Sequence, residues 1–244
     1  MLEAEWAFPD SNNVLDVCDV TESLLKDSLR NAIQSEIVES LWKTCDDKKR
    51  LSIENAVNKK DAWTRMTYTE AIQELEKISS FSSSAPSPPK LFEHTPKWGR
   101  TLQSEHERWL AESLIGGPVF VTNYPTTLKP FYMRSNDDNK TVACFDLLVP
   151  YVGELIGGSV REERPRVLEA KMGQAGLLLT DDDRQGCSQQ DVGEYQWYLD
   201  LRKYGGAPHA GFGMGFERLV CWIGGVDNIR ECIPIPRWAG RMLL

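Results

Sequence analysis

Apolar residues in the first third of the chain recur with the spacing of amphipathic helices. Over residues 14 to about 35 they fall three and four positions apart, and a shorter repeat covers residues 37 to 42. The stretch TYTEAIQELEKI continues this pattern, with Thr67 or Thr69 placed to cap another helix. We therefore predict a mainly helical first third, preceded by a short strand over residues 1 to 8.

A run of serine and proline, SSFSSSAPSPP, interrupts this pattern over residues 79 to 89. Such a composition does not support a regular element, so we predict a surface loop there and a flexible insertion near residues 79 to 100. The stretch SEHERWLAESLI then returns to helical spacing, with Ser104 as the expected N-cap.

Shorter segments rich in β-branched and aromatic residues follow, separated by turn signals: PVFVTNYP, FYMRS, TVACFDLLVP and YVGELIGGSV. They predict an antiparallel sheet. Residues 161 to 178 and the stretch YQWYLDLRKYG predict helices, and the polar residues 180 to 193 predict a second flexible insertion. A glycine-rich strand then enters an apolar helix in PHAGFGMGFERLVCWIGGV. The predicted class is α+β, with strands and helices segregated.

Composition narrows the class of protein further. The 244 residues are 41% hydrophobic and carry a net charge of −8, so the chain can bury a core but does not bind nucleic acid through its overall charge. The six cysteines lack a CxxC spacing and the three histidines do not cluster with them, which indicates reduced thiols rather than a metal or disulfide framework. No run of about eighteen apolar residues occurs, so we expect no membrane partner.

The first stretch with candidate chemistry is GFGMGFER, residues 211 to 218. Alternate glycines in a strand are compatible with close packing of another backbone, and the Glu217–Arg218 pair with solvated charge. We favour the alternative of a flat ligand lying on the strand, with Arg218 presenting its guanidinium to a phosphate or a ring. The stretch is not a GxGxxG dinucleotide loop, because that motif needs its glycines in a turn that opens a helix.

Two further stretches carry charged residues in suggestive positions. In VGELIGGSVREER, Glu154 falls at the end of an apolar strand and could hold Mg²⁺, while Arg161 could grip a carbonyl; an ordinary turn with an exposed arginine is the alternative. In MLEAEWAF, Glu3 and Glu5 lie two apart, so in a strand both point to one face, either toward solvent or into a cleft. His209, just before the glycine strand, is a further candidate for ligand contact.

These stretches, in this order, resemble the catalytic domain of class II aminoacyl-tRNA synthetases, most closely that of the asparagine-specific members. The resemblance is carried by SEHERWLAE, NYPTTLKPFYMR, DLLVPYVGELIGGS, YLDLRKYGGAPHAGFGMGFERL and NIRECIPIPR. It covers essentially the whole chain apart from the two polar insertions. It implies a partial class II catalytic domain over residues 1 to 244, running from the second half of motif 2 through motif 3.

The resemblance implies activation of asparagine with ATP and Mg²⁺, followed by transfer to tRNA(Asn) by a homodimer. Arg218 resembles the third-motif arginine that packs on ATP, and the nucleotide site includes Gly213, Gly215, Phe216 and Glu217. Glu154 resembles the acidic ligand of ATP and Mg²⁺. The amino-acid site includes Arg161, which holds the side-chain carbonyl, with Glu3, Glu5 and His209. Because Glu3 would accept from the amide NH₂ and repel a carboxylate, we expect the Glu3–Arg161 pair to separate asparagine from aspartate.

The chain departs from the family pattern at its start. The strand that carries the family's second-motif arginine, the first motif and the anticodon-reading barrel would all lie upstream of Met1, so we expect this chain alone not to form the adenylate efficiently. An aspartyl-type synthetase and a non-catalytic paralogue or isoform that acts as a binding partner are the alternatives. The REER and IPIPR stretches resemble the bacterial-type organellar enzymes, so we expect a mitochondrial matrix location, with the cytoplasm as alternative.

Overall fold

A computed structural model describes residues 1–9, 13–82, 91–178 and 195–240, which form one six-stranded sheet with helices packed against it. The order of the strands is β1-β6-β5-β4-β3-β2. All neighbouring strands are antiparallel except β2 and β3, which run parallel. The strands are β1 Leu2–Ala7, β2 Thr64–Thr67, β3 Val119–Thr122, β4 Cys144–Val149, β5 Gly153–Val160 and β6 His209–Met214.

The helices of the described residues agree with the predicted α+β class. They are α1 Val14–Ala32, α2 Glu36–Trp42, α3 Asp47–Asn58, α4 Tyr68–Ser82, α5 Ser104–Arg108, α6 Pro165–Gln174, α7 Gln196–Lys203 and α8 Phe216–Gly224. Helix α5 continues into a π-helical segment, Trp109–Ile115, and 3₁₀ turns cover Thr126–Leu128 and Ile229–Cys232. None of these helices combines the length and the apolar character needed to cross a membrane.

The apolar residues of the strands pack on both sides of the sheet. One face of β1, β6, β5 and β4 meets α1, α3 and α8 in a core that includes Phe145, Phe212 and Trp222. On the opposite face, β3 and β4 are covered by α4, α5 and the π-helical segment, with Tyr68 and Leu110 fully buried. Helices α6 and α7 pack on each other through Leu168 and Leu199.

Of the two threonines predicted as possible caps of α4, Thr67 makes the capping hydrogen bonds, and Thr69 lies inside the helix. The Thr67 hydroxyl oxygen accepts from the Glu70 N–H at 3.2 Å, and Glu70 Oε2 accepts from the Thr67 N–H at 2.7 Å, so two backbone donors are satisfied reciprocally. The prediction for Ser104 is wrong: Ser104 is the first residue of α5, and Gln103 is its N-cap.

Three other regions differ from the predictions. Strand β2 lies within the stretch predicted to be mainly helical, and FYMRS contributes isolated bridges, such as Met133 with Arg161, rather than a strand.

Helix α4 continues through Ser82, so the serine-rich segment begins inside a helix. After residue 90 the chain is anchored, because Phe92 is buried and the Tyr68 hydroxyl donates to the Arg100 carbonyl at 2.6 Å. The predicted insertion at 180–193 lies outside the described residues.

Candidate active site

The glycines of β6 and β5 leave one part of the sheet without side chains. Gly213 pairs with Gly157 of β5 on one side and with Glu3 of β1 on the other. A Cβ atom at Gly213 would meet no atom closer than Met1 Sδ at 3.6 Å, because nothing covers this position among the described residues. We call the surface of Gly157 and Gly213 the glycine floor; it ends at Gly211, where the Glu5 carboxylate lies over the backbone.

Arg218 joins the end of the glycine strand to the neighbouring strand β5. It lies in the first turn of α8, and its Nη1 donates to the carbonyl oxygen of Glu154. Gly215 is the N-cap of this helix, and a Cβ there would lie 3.2 Å from Arg218 Cδ, so the missing side chain leaves room for the arginine. The structure thus places Gly215 beside Arg218 rather than on the floor. Phe216 is exposed and Glu217 half-buried in the same turn.

The sequence pattern placed Glu154 at the end of a strand, but the residue lies at the start of β5. A bulge between Leu147 and Leu148 shifts the register there, and Glu154 pairs with Leu148. From the Cβ position of Gly157, Glu154 Oε1 is 3.3 Å and Asp146 Oδ1 is 3.6 Å away, so both carboxylates border the floor.

The electrostatics of this carboxylate pair favour a cation. Burial, together with the negative charge of Asp146, raises the pKa of Glu154, while Lys129 and Arg218 act in the opposite direction. Lys129 Nζ donates to both oxygens of Asp146 at 2.7 Å. Burial also raises the pKa of Glu107, whose Oε2 accepts from the Glu154 N–H at 3.3 Å. Among the described residues, three carboxylates therefore face two cations, Lys129 and Arg218, at this end of the floor.

The carboxylates fit a magnesium ion that also binds an anionic ligand. Their hard oxygen atoms are the donors that Mg²⁺ prefers, and it commonly takes one or two carboxylates together with phosphate oxygens. In the part of the chain that the structure describes, no three His, Cys, Asp or Glu side chains converge as a metal site. Such an ion would be held by Glu154 and Asp146 together with oxygen atoms of the ligand.

At the opposite end of the floor, Arg161 pairs with Glu5, whereas the sequence analysis assigned its partner as Glu3. Arg161 Nε and Nη2 donate to the two Glu5 carboxylate oxygens, each at 2.9 Å, and Nη1 donates to Ser159 Oγ. The register explains the correction: Glu5 stands opposite Gly211, which stands opposite Ser159, two residues before Arg161. A Cβ at Gly211 would overlap the Glu5 carboxylate.

His209 and Tyr132 complete this end of the floor. His209 Nε2 lies 3.9 Å from Glu5 Oε1, and its Nδ1 lies 2.9 Å from the Ala207 carbonyl oxygen, which holds the ring beside the ion pair. The Arg161 guanidinium lies 5.4 Å from the centre of the Tyr132 ring. The sequence-predicted residues thus fall into two groups: Glu154, Gly213, Gly215 and Arg218 at one end, and Glu5, Arg161 and His209 at the other.

Sequence reasoning missed Asp146, Lys129, Glu107 and Tyr132. One signal was present, because Asp146 is a single carboxylate inside the apolar strand CFDLLV and would be costly to bury without a partner. For Lys129 and Tyr132 the chain offers no comparable pattern, since both reach the floor from the irregular segment before β4.

Comparison with known proteins identifies relatives over nearly the whole chain. A family model described as tRNA synthetases class II (D, K and N) matches residues 1–239. The chain is 45% identical to the asparagine--tRNA ligase of Protochlamydia amoebophila, covering 99% of this chain and 46% of that protein. It is 44% identical to the asparagine--tRNA ligase of Clostridium novyi, covering 98% and 46%. The chain thus spans about half the length of these relatives.

The chain is also similar to solved structures of asparaginyl-tRNA synthetases. Asparaginyl-tRNA synthetase from Pyrococcus horikoshii superimposes with a TM-score of 0.75 at 30% identity, covering 98% of this chain and 49% of the other. Its complex with asparaginyl-adenylate also gives 0.75 at 30% identity, with 98% and 47% covered. The Entamoeba histolytica enzyme in complex with asparaginyl-adenylate gives 0.74 at 27% identity, with 98% and 47% covered.

Proposed function

The chain belongs to the class II tRNA synthetase family of the D, K and N group, and from this premise we propose that it is part of an asparagine–tRNA ligase. In the proposed reaction the asparagine carboxylate attacks the α-phosphate of ATP, which gives an aminoacyl-adenylate and pyrophosphate. The aminoacyl group then passes to tRNA(Asn) with release of AMP. The relatives named asparagine--tRNA ligase, at 45% and 44% identity, support this choice over an aspartyl-type enzyme.

The observation that carries the proposal is the separation of two charged groups by the glycine floor. Arg218 and Glu154 lie at one end, and Arg161 and Glu5 at the other. Attack of a carboxylate on an α-phosphate needs no protein nucleophile; it needs two anionic substrates aligned and their charge neutralised. A bare floor with cationic groups at both ends suits that task, because the ligands can lie directly on the backbone.

We assign the asparagine side chain to the end that holds Arg161 and Glu5. An amide offers one acceptor and one donor: its oxygen would accept from Arg161 and its NH₂ would donate to Glu5. The carboxylate of aspartate has no donor for Glu5 and would meet a like charge there. The role that sequence analysis gave to Glu3 therefore passes to Glu5, which is in contact with Arg161.

We assign ATP to the other end, with Gly213 beneath the nucleotide and Arg218 beside it. Glu154, together with Asp146, would hold Mg²⁺, which when bound neutralises phosphate charge. Burial of the two carboxylates next to Gly157 supports this role, since their mutual repulsion is relieved by a cation. Lys129 holds Asp146 in place through two hydrogen bonds.

The direct test is calorimetric titration of the 244-residue chain with asparagine, aspartate and ATP in the presence of Mg²⁺. We expect binding of ATP and of asparagine, and weaker binding of aspartate. Equal binding of the two amino acids would contradict the role of Glu5, and binding of neither substrate would favour a non-catalytic partner protein. Asparagine-dependent ATP–pyrophosphate exchange, measured on the chain and on a full-length relative, tests how much of the reaction this part supports.

Three features of the complete enzyme belong to the same proposal: action on the acceptor end of tRNA(Asn), a homodimer, and the mitochondrial matrix. The REER and IPIPR stretches, which resemble those of the bacterial-type organellar enzymes, are the basis for the proposed organellar location. Imaging of the tagged gene product in its own cells tests the location, and sedimentation of the purified gene product tests the dimer. Aminoacylation of tRNA(Asn) against tRNA(Asp) tests the nucleic-acid partner.

A further inference from the structure

Glu162, the residue after Arg161, is fully buried with 0% of its side chain exposed. Its two carboxylate oxygens accept four hydrogen bonds: from the Ser135 N–H at 2.9 Å, from the Arg164 N–H at 3.4 Å, and from Arg164 Nε and Nη2 at 2.7 and 2.9 Å. Although burial alone would raise it, these donors hold the pKa of Glu162 below its usual range. Nothing in the chemistry of the proposed reaction requires a carboxylate at this position.

The backbone of Glu162 also joins elements that are distant in the sequence. Its N–H donates to the Tyr132 carbonyl at 2.8 Å, and its carbonyl oxygen accepts from Arg202 Nε of α7 at 3.3 Å. Arg164, at the N-cap of α6, also donates to the Ser135 carbonyl at 2.8 Å. The residue therefore fixes the end of β5 to the segment around Tyr132 and to the helices α6 and α7.

These connections surround Arg161. The Arg161 N–H donates to the His209 carbonyl at 2.9 Å, and its guanidinium lies over the Tyr132 ring. In extended chain, Arg161 and Glu162 point to opposite sides, so the buried carboxylate fixes the backbone from which the guanidinium reaches Glu5. The contacts of Glu162 thus determine the positions of the arginine, of the ring beneath it and of the backbone that carries His209.

We propose that Glu162 is a positioning residue for the asparagine end of the site, which sets the direction of Arg161 without touching substrate; this inference rests on the proposed function. Since Arg218 and Glu154 lie at the other end of the floor and share no contact with Glu162 among the described residues, its influence is restricted to amino-acid binding. A residue that only stabilised the fold would affect both ends.

The test compares Glu162→Gln with Glu163→Gln, a matched control in the next residue. Glu163 pairs with Arg134 Nε at 3.1 Å from a side chain that is 23% exposed, and among the described residues its carboxylate has no hydrogen bond to Arg161 or Tyr132. A glutamine at 162 keeps the volume but offers one acceptor oxygen to four donors. Calorimetry on the 244-residue chain gives dissociation constants for l-asparagine and for ATP with Mg²⁺ separately.

We expect Glu162→Gln to raise the dissociation constant for asparagine about tenfold or more, as expected when a binding group is displaced, and to leave that for ATP unchanged. Glu163→Gln should change neither. If Glu162→Gln does not fold, Arg164→Lys replaces it; a lysine cannot bond both carboxylate oxygens and Ser135 together, so a smaller rise for asparagine alone is expected.

Two results would overturn the inference while leaving the proposed function intact: an unchanged dissociation constant for asparagine, or equal losses for asparagine and ATP. Failure of the unaltered chain to bind asparagine while it binds ATP is a different outcome. It would contradict the proposed function at the end of the floor assigned to the asparagine amide, and it would contradict the proposed role of Glu162 as well.

Discussion

The two faces of the β1-β6-β5 half of the sheet are made by the same strands, yet one is packed and the other is bare. On the packed face, Phe212 and Ile156 are buried against helices. On the bare face, the next residues along the same strands are Gly213 and Gly157. Since successive residues of a strand point to opposite faces, one alternating pattern specifies both a hydrophobic core and a ligand floor.

Two glycines, Gly158 on the packed face and Gly213 on the bare face, have different surroundings. Gly158 faces the packed side, where a Cβ atom would lie 2.6 Å from Phe145 Cζ and 2.9 Å from Phe212 Cβ. There the ring of Phe145 occupies the space that a side chain at Gly158 would need. At Gly213 the space stays open. A glycine in a strand is therefore informative only when the side chains around it are known.

The largest effect on stability is expected from removing one large side chain from the packed face. Phe145 is fully buried and contacts the ring of Phe120, with the centres 5.3 Å apart. Phe145→Ala should lower the free energy of unfolding by about 3–5 kcal/mol, because it removes apolar contacts and leaves a cavity beside Gly158. Urea denaturation followed by circular dichroism measures this. A loss below about 1 kcal/mol would mean that the packed face collapses around the gap.

The next effect comes from adding one methyl group to each face. Gly158→Ala should lower the free energy of unfolding by about 1–3 kcal/mol, because the Phe145 ring must move. Gly213→Ala should change the free energy of unfolding by no more than about 0.5 kcal/mol, because a Cβ atom there would meet no atom closer than 3.6 Å. The same denaturation experiment compares them. Equal losses would remove the distinction between the faces.

The two ends of the bare face can be separated with the two glutamates of β1. Glu5→Gln should weaken asparagine binding about tenfold and narrow its preference over aspartate, because a charged acceptor for the amide NH₂ is lost. Glu3→Gln is the control, since Glu3 stands opposite Gly213, outside the Arg161 pair. Titration calorimetry measures both variants; a larger loss for Glu3→Gln would restore the original assignment.

The smallest effect is a dependence of stability on pH at the nucleotide end. Because burial and Asp146 raise the pKa of Glu154 above its ordinary value of 4.5, the folded chain binds this proton more tightly than the unfolded chain. The resulting stabilisation is present below that value and lost as pH rises through the raised pKa. Glu154→Gln should therefore raise the melting temperature at pH 7 relative to the unaltered chain.

This difference in melting temperature should shrink as the pH falls below 4.5, where the carboxyl is protonated in both the folded and the unfolded chain. Differential scanning calorimetry at several pH values follows it, with Glu39→Gln on the exposed surface of α2 as the control. A constant difference across the pH range would assign the effect to packing rather than to charge. Loss of Mg²⁺-dependent ATP binding in Glu154→Gln is the expected functional counterpart.

Much of the fold could be predicted because its signals are local. The helical repeat of α1, the capping threonine of α4 and the step from a glycine strand into an apolar helix at Phe216 each depend on a few neighbouring residues. Strand β2 could not be predicted, because its four residues, TRMT, are all half-buried and show no clear alternation. It forms by parallel pairing with β3, more than fifty residues later.

For the site, the sequence by itself determined which residue types are available: arginines and glutamates beside glycines, with Glu3 and Glu5 on one face of their strand. Only the tertiary structure decided that Glu5 meets Arg161 and that Asp146 joins Glu154. The physical reason is register: the pleat fixes which face a side chain takes, whereas its partner depends on hydrogen bonding between strands far apart in sequence and on the bulge after Leu147.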